Sequence, residues 1–282
     1  MTVEVDLHVH TTASDGTLTP RQLLEEAARR GLKAVGITDH DTTSGLAEAT
    51  KAAQAVGVEI VPGIELSTVW HDQEVHVLGY WLEYEQNWFQ VVLQDLRQER
   101  VRRIEKIVKQ LNNLGYHISL ERVKEVAGGG AMGRPHVARV LMENGFVNNT
   151  GEAFRRLLAK GAPAYVPRQK LTPAESVRLI RRAKGVPVLA HPGLIGNENI
   201  VEELLIEGLE GIEVYYPEHS AKEQARFLEL AERWHLVATG GSDFHGSDRA
   251  SVGDLGSFGI SCATLIKLKK VKDIISASAF GI

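Results

Sequence analysis

VEVDLHVH, residues 3–10, alternates apolar and polar side chains. Val3, Val5, Leu7 and Val9 point to one side of a strand and Asp6, His8 and His10 to the other, so both histidines share one face. The stretch LTPRQLLEEAARRGLKAVGITDHD at 18–41 reads as helix, turn and strand. Thr19 caps the helix, Pro20 suits its first position, Gln22 completes a capping box and Gly31 ends it. The strand KAVGIT then delivers Asp39, His40 and Asp41. The plan returns in LTPAESVRLIRRAKGVPVLAHPG at 171–193, where Thr172, Pro173 and Glu175 start a helix, Gly185 ends it and VPVLA delivers His191. Repeated helix, turn and short apolar strand ending in a polar residue indicates parallel α/β architecture. VEIVPGIE ends at Glu65, EVHVLGYW carries His76, GIEVYY is a further strand, and LVATGGSDFH ends at Asp243 and His245. About seven strands suit a β/α barrel better than a short open sheet, and in either fold polar residues at strand C-terminal ends converge on one mouth.

Periodicity changes after residue 86. Val91, Val92, Leu96, Val101, Ile104, Ile107, Val108, Leu111 and Leu114 recur at spacings of 3 and 4, which predicts a helix from Trp88 to about Leu114, too long and too charged for an ordinary barrel helix. Further helices are expected near His136–Glu143 and Glu152–Lys160, with the glycines at 128–130 as a turned link. Residues 87–169 therefore read as a mainly helical insertion into a barrel formed by 1–86 and 170–282. Over 97–170 the chain holds 15 Lys/Arg against 6 Asp/Glu, although the whole carries a formal charge of -4. Such a run is either a solvated helical face or a basic cover over an acidic, cation-binding body.

A chain of 282 residues buries a full core without covalent staples. A single cysteine, Cys262, excludes an intrachain disulfide and fits a reducing compartment. No basic-then-apolar leader precedes the first strand, and no segment approaches the roughly 20 apolar residues of a membrane span, so a cytoplasmic location without membrane association is expected.

Six of the 11 histidines, His8, His10, His40, His76, His191 and His245, stand on or just after expected strands, with Asp15, Glu65 and Asp243 as accompanying carboxylates. Singly, each histidine is more often a packed or surface residue; as a set they suit Zn, Mn or Fe, and the lack of cysteine ligands argues against a structural zinc site. Nine ligands exceed the needs of one ion and suit two or three that share a bridging carboxylate.

The motifs DLHVHTTASDG, ITDHD, GIELS, EVHVLGY, LAHPG and GSDFHG resemble, in order, those of the PHP (polymerase and histidinol phosphatase) domain of the amidohydrolase superfamily. The resemblance implies a distorted (β/α)7 barrel with a trinuclear metal site: His8 and His10 with Glu65 and Asp243 on one ion, Glu65 bridging to a second held by His76 and His191, and Asp15, His40 and His245 on the third. Glu65 and Asp243 then have the catalytic roles. The insertion resembles the helical subdomain of PHP phosphoesterases acting on nucleoside 3',5'-bisphosphates or on short RNA from its 5' end. The expected chemistry is hydrolysis of such phosphate esters by a metal-activated hydroxide, without stable binding of duplex DNA. The alternatives are a small-metabolite phosphatase, such as one for histidinol phosphate, or a binding module that has lost catalysis.

In GRPHVAR, Arg134 and His136 at a helix start suit a phosphate, through the helix N-terminus and a bidentate guanidinium. His219, after the GIEVYY strand, is expected near the mouth as a further substrate contact. Asp39 and Asp41 flank His40 and are expected to orient it. Arg139, His71, His117 and His235 read as structural or surface residues.

Overall fold

A computed structural model describes residues 3–167, 171–246 and 253–278. The junction expected at 169–170 lies outside the described residues. In chain order the elements are β1 (Val5–Val9), α1 (Pro20–Arg29), β2 (Ala34–Ile37), α2 (Leu46–Val56), β3 (Glu59–Trp70), β4 (Gln73–Tyr80), α3 (Asn87–Asn113), α4 (Leu120–Ala127), α5 (Arg134–Glu143) and α6 (Thr150–Ala153), which runs into a π-helical turn at Phe154–Leu158. The chain continues through α7 (Pro173–Arg182), β5 (Val186–Leu189), α8 (Asn199–Ile206), β6 (Gly211–Tyr215), α9 (Ala221–Arg233), β7 (Val237–Gly240) and α10 (Cys262–Ser278). Both expected capping boxes are present: Thr19 Oγ1 accepts from the Gln22 amide, Thr172 Oγ1 accepts from the Glu175 amide, and the Gln22 and Glu175 side chains reach back.

The seven strands hydrogen-bond in sequence order. The sheet curls until the segment after β7 meets β1, where the His10 amide donates to the Phe244 carbonyl at 2.9 Å. This is a distorted, nearly closed seven-stranded β/α barrel. One expectation fails: β4 is antiparallel to both β3 and β5, whereas the other neighbouring strands are parallel. β3 and β4 form a hairpin closed by His71 and Asp72, both with positive φ (46° and 61°). Left-handed conformation at both central residues matches the twist of the strands. The hairpin keeps His76 at the mouth, because the start of a reversed strand lies where its partner ends.

Glu65 alternates with Ile64 and Leu66, which belong to a core cluster with Phe89, Leu93 and Leu96 of α3 and apolar residues of α7, α8 and α9. A second cluster joins Leu23, Leu24 and Ala27 of α1 to Val35 and Ile37 of β2. Beyond Leu96, α3 enters a separate core with Val123 of α4, Val137, Val140 and Leu141 of α5, and Leu157 and Leu158 of the π turn. α4 answers no sequence expectation; Ser119 caps it and Gly128 ends it in a left-handed conformation. Among the described residues no helix is long and apolar enough to cross a membrane.

Candidate metal and substrate site

The polar face of β1 carries His8 and His10 into the barrel mouth, where both are buried. Glu65 meets them from the middle of β3: its Oε2 lies 3.3 Å from His8 Nε2, 3.2 Å from His10 Nε2 and 3.0 Å from His40 Nδ1. Its Oε1 lies 2.6 Å from His76 Nδ1 and 3.2 Å from His191 Nε2. Asp243 Oδ1 approaches His8, His10 and His245 at 3.4, 3.1 and 3.5 Å, and His245 Nε2 faces Asp15 at 3.3 Å. All nine residues proposed as ligands thus converge on one mouth, with Glu65 central.

Their donor atoms form three overlapping groups, each with members within 4.8 Å of one another: His8, His10, Glu65 and Asp243; His10, Asp15, His40 and His245; and His40, Glu65 and His76. The family-derived partition shares only Glu65 between sets, whereas here His10 and His40 each belong to two as well, and His191 joins through Glu65. His8 Nε2, His10 Nε2, Glu65 Oε2 and His191 Nδ1 are buried without a hydrogen bond. Buried polar atoms are ordinarily satisfied, and imidazole nitrogens facing carboxylate oxygens are the donor set for divalent transition ions. The residues therefore fit such ions.

Electrostatics agree with that fit. Burial pulls the His8 and His10 imidazoles down, but the surrounding carboxylates outweigh it, raising His8 well above its usual range and His10 to about 9. Burial wins at His40 and holds it at about 3, so the neutral ring keeps one nitrogen lone pair available. Burial would raise Glu65 and Asp243, yet the imidazoles around them keep both below the usual carboxylate range. A divalent cation competes for the positions that protons hold in such a field.

The supporting contacts include residues that sequence reasoning missed. Glu213 on β6, wholly buried, takes His8 Nδ1 at 3.0 Å and the His191 amide at 2.8 Å. The Tyr216 hydroxyl donates to Asp243 Oδ2 at 3.1 Å. Burial raises that phenol far above its usual range, so it stays a donor. A carboxylate within the apolar strand GIEVY was the available signal for Glu213, since a buried acid requires partners. His191 and Asp243 have positive φ (27° and 51°), strained conformations that the surrounding packing must enforce. Gly241 is required beside them, because a Cβ there would lie 2.3 Å from that of His8.

Asp39 and Asp41 bind different partners. Asp39 accepts from Thr11 N, Thr11 Oγ1 and Ser14 Oγ, fixing the loop after β1, while Asp41 accepts from Ser67 N and from Arg100 Nε at 2.6 Å. The imidazole of His40 meets Glu65, with Ser67 Oγ at 3.5 Å.

At the mouth lies a cleft of about 540 Å³, lined by Asp15, His40, Glu65, His76, His191, Asp243 and His245 and also by Arg100 and Arg103 of α3, Arg134 of α5 and Arg155. Gly130 seats the link between α4 and α5 on the loop after β1, since a Cβ there would lie 2.5 Å from the Thr12 carbonyl oxygen. Arg139 donates to the Asp15 carbonyl from the same side.

Two expected phosphate contacts are corrected. His136 is buried and its Nδ1 accepts from the Gly133 amide at 3.0 Å, so it caps α5 instead of lining the cleft. His219 is buried with both ring nitrogens engaged, Nδ1 with the Val214 carbonyl at 2.9 Å and Nε2 with the Gly193 amide at 3.1 Å; it pins two loops together. Arg134 does line the cleft, paired with Glu74.

A buried imidazole and carboxylate cluster at the mouth of a β/α barrel, in a cleft also lined by arginines, is the site of a metal-dependent phosphoesterase. The chain belongs to the PHP family, whose domain profile matches residues 6–150. It is 34% identical over 247 residues to the 5'-3' exoribonuclease Rnm of Escherichia coli K12, covering 85% of this chain and 84% of that one. It is also 34% identical to the 3',5'-nucleoside bisphosphate phosphatase of Chromobacterium violaceum, covering 86% and 87%. A crystal structure from Bifidobacterium adolescentis, assigned as a metal-dependent phosphoesterase, superposes with a TM-score of 0.89 at 30% identity, covering 95% of this chain and 96% of its own.

Proposed function

We propose that this hydrolase cleaves a phosphate ester of a nucleoside 3',5'-bisphosphate or of a short 5'-phosphorylated oligonucleotide. Its two or three divalent ions, Mn2+, Zn2+ or Fe2+, would be held by His8, His10, Asp15, His40, Glu65, His76, His191, Asp243 and His245. Such ions, when bound, activate water and neutralise charge on the phosphoryl oxygens. The observation that carries the reading is that one cleft is lined both by the imidazole and carboxylate cluster and by arginines, which suits a substrate with two phosphates. The two relatives named for nucleotide and RNA substrates support the same choice.

The chain's own residues have separable tasks. Glu65 turns one oxygen toward His76 and His191 and the other toward His8, His10 and His40, which makes it the common member of the cluster. Tyr216 holds Asp243 Oδ2 through its proton, leaving Oδ1 aimed at His8 and His10. Arg134 and Arg103, on residues 87–169, which we take as the cover, orient the phosphate that is not cleaved. Binding energy remote from the reacting bond can raise turnover as well as affinity.

Phosphate release from adenosine 3',5'-bisphosphate, AMP, a short 5'-phosphorylated RNA and histidinol phosphate tests the assignment. The bisphosphate or the RNA should have the highest kcat/KM. Preference for histidinol phosphate would overturn it, because that substrate has no second phosphate for the arginines.

A further inference from the structure

Glu74, the second residue of β4, pairs across the hairpin with Val69 and stands in the cleft among the arginines. Its Oε1 accepts from Arg103 Nη2 at 2.6 Å and its Oε2 from Arg134 Nη2. Two carboxylate oxygens, each on a different guanidinium, reproduce the contacts that two phosphoryl oxygens would make. We propose that Glu74 is a resident competitor for the anion-binding arginines, excluding lone inorganic anions and yielding to a phosphate already tethered at the metal-facing side of the cleft. This rests on the nucleotide reading for the purpose of the clasp, though not for its geometry.

The arginines are held in place independently of Glu74. Arg103 Nε donates to the Val166 carbonyl at 2.8 Å and Arg134 Nη1 to the Leu158 carbonyl at 3.2 Å. The Arg103 and Arg134 guanidiniums lie 5.8 and 6.0 Å from the ring centre of Tyr165, and that of Arg134 lies 5.5 Å from Phe154. Displacing the carboxylate therefore leaves a formed clasp. Glu74 is also the more exposed partner, with 23% of its side-chain surface accessible against 7% for Arg103 and 18% for Arg134, so it can withdraw toward water along the hairpin.

Charge and tethering set the selectivity. With Glu74 in place, the two cations are reduced to one net positive charge; with it displaced, both face the incoming anion. A carboxylate fixed to the same chain competes at an effective concentration on the order of millimolar or above, which a dilute free anion does not match. A phosphate joined covalently to one held at the metals has a comparable effective concentration and adds charge, so it prevails. Glu74 is thus a specificity-determining residue that favours doubly anchored substrates over released inorganic phosphate.

Titration calorimetry of inorganic sulfate into the metal-loaded protein at constant ionic strength tests this. Glu74→Gln keeps the side chain's shape and removes its charge; it should bind sulfate on the order of tenfold more tightly than the wild type. The gain should vanish in Glu74→Gln/Arg134→Ala, a comparison that cancels any sulfate held at the metals. Glu74→Ala should shift affinity in the same direction. Sulfate affinity equal to or weaker than wild type in both single variants would overturn the proposal and make Glu74 only a tie between hairpin and insertion. No nucleotide enters this titration, so its result stands apart from the substrate panel.

Discussion

Replacing Glu213 with Gln tests whether the metal-facing imidazoles depend on a residue outside the ligand set. In the wild type both donors aimed at this carboxylate carry hydrogen: His8 Nδ1, because its Nε2 faces Glu65 and Asp243, and the His191 main-chain amide. A glutamine offers one acceptor oxygen where the carboxylate offers two, so one of these donors would confront an NH2 group. An unsatisfied buried donor costs about 1–3 kcal/mol. For a protein of this size the melting temperature should fall by on the order of 5 °C even in chelator. Loss of the partner that fixes a ligating imidazole typically weakens metal binding about 10–100-fold, or about 1.4–2.8 kcal/mol. Competition against a chromophoric chelator gives the affinity, and a thermal scan in excess chelator gives the metal-free stability. An affinity within twofold of wild type, together with an unchanged melting temperature, would show that Glu213 orients neither His8 nor His191.

Four further outcomes are expected. Glu65→Gln should abolish turnover, while His71→Ala at the hairpin turn should retain it; equal residual rates would mean that Glu65 is not the common ligand. Elemental analysis after mild metal loading should return two or three transition ions per chain, and chelation should lower the melting temperature by mass action; full activity in excess chelator would contradict both. Arg100→Ala removes the cation 2.6 Å from the buried Asp41 carboxylate and should cost about 3–5 kcal/mol in urea denaturation, with part of the loss recovered when Asp41→Asn is added; no recovery would place the cost elsewhere. Arg134→Ala should lose on the order of 2 kcal/mol of transition-state stabilisation for the bisphosphate and much less for an aryl phosphate; coincident losses in kcat/KM would remove Arg134 from the clasp.

Convergence of the nine polar residues was legible because alternation along each strand and its ending place a side chain before any tertiary contact is known. His8 and His10 share a face by that rule alone, and Thr19 and Thr172 mark helix starts through local hydrogen bonds. What escaped was whatever depends on partners remote in the chain. The alternation in EVHVLGYW is the same read in either direction, and the His71–Asp72 turn lacks the glycine that usually announces a tight hairpin, so the reversal of β4 was hidden. His136 and His219 were misread for a related reason: proximity to a helix start or a strand end says where a ring begins, while its hydrogen bonds to Gly133, or to Val214 and Gly193, decide whether it faces substrate.

The path of α3 sets a limit on modularity. One uninterrupted helix of 27 residues gives Phe89, Leu93 and Leu96 to the barrel and Ile104, Ile107 and Leu111 to the cover. Excising residues 87–169 would strip three large side chains from the barrel, so a transplant between relatives should join the chains within α3, after Leu96. Because both cores share that one rod, its straightness fixes their separation, and the helix acts as the spacer between them.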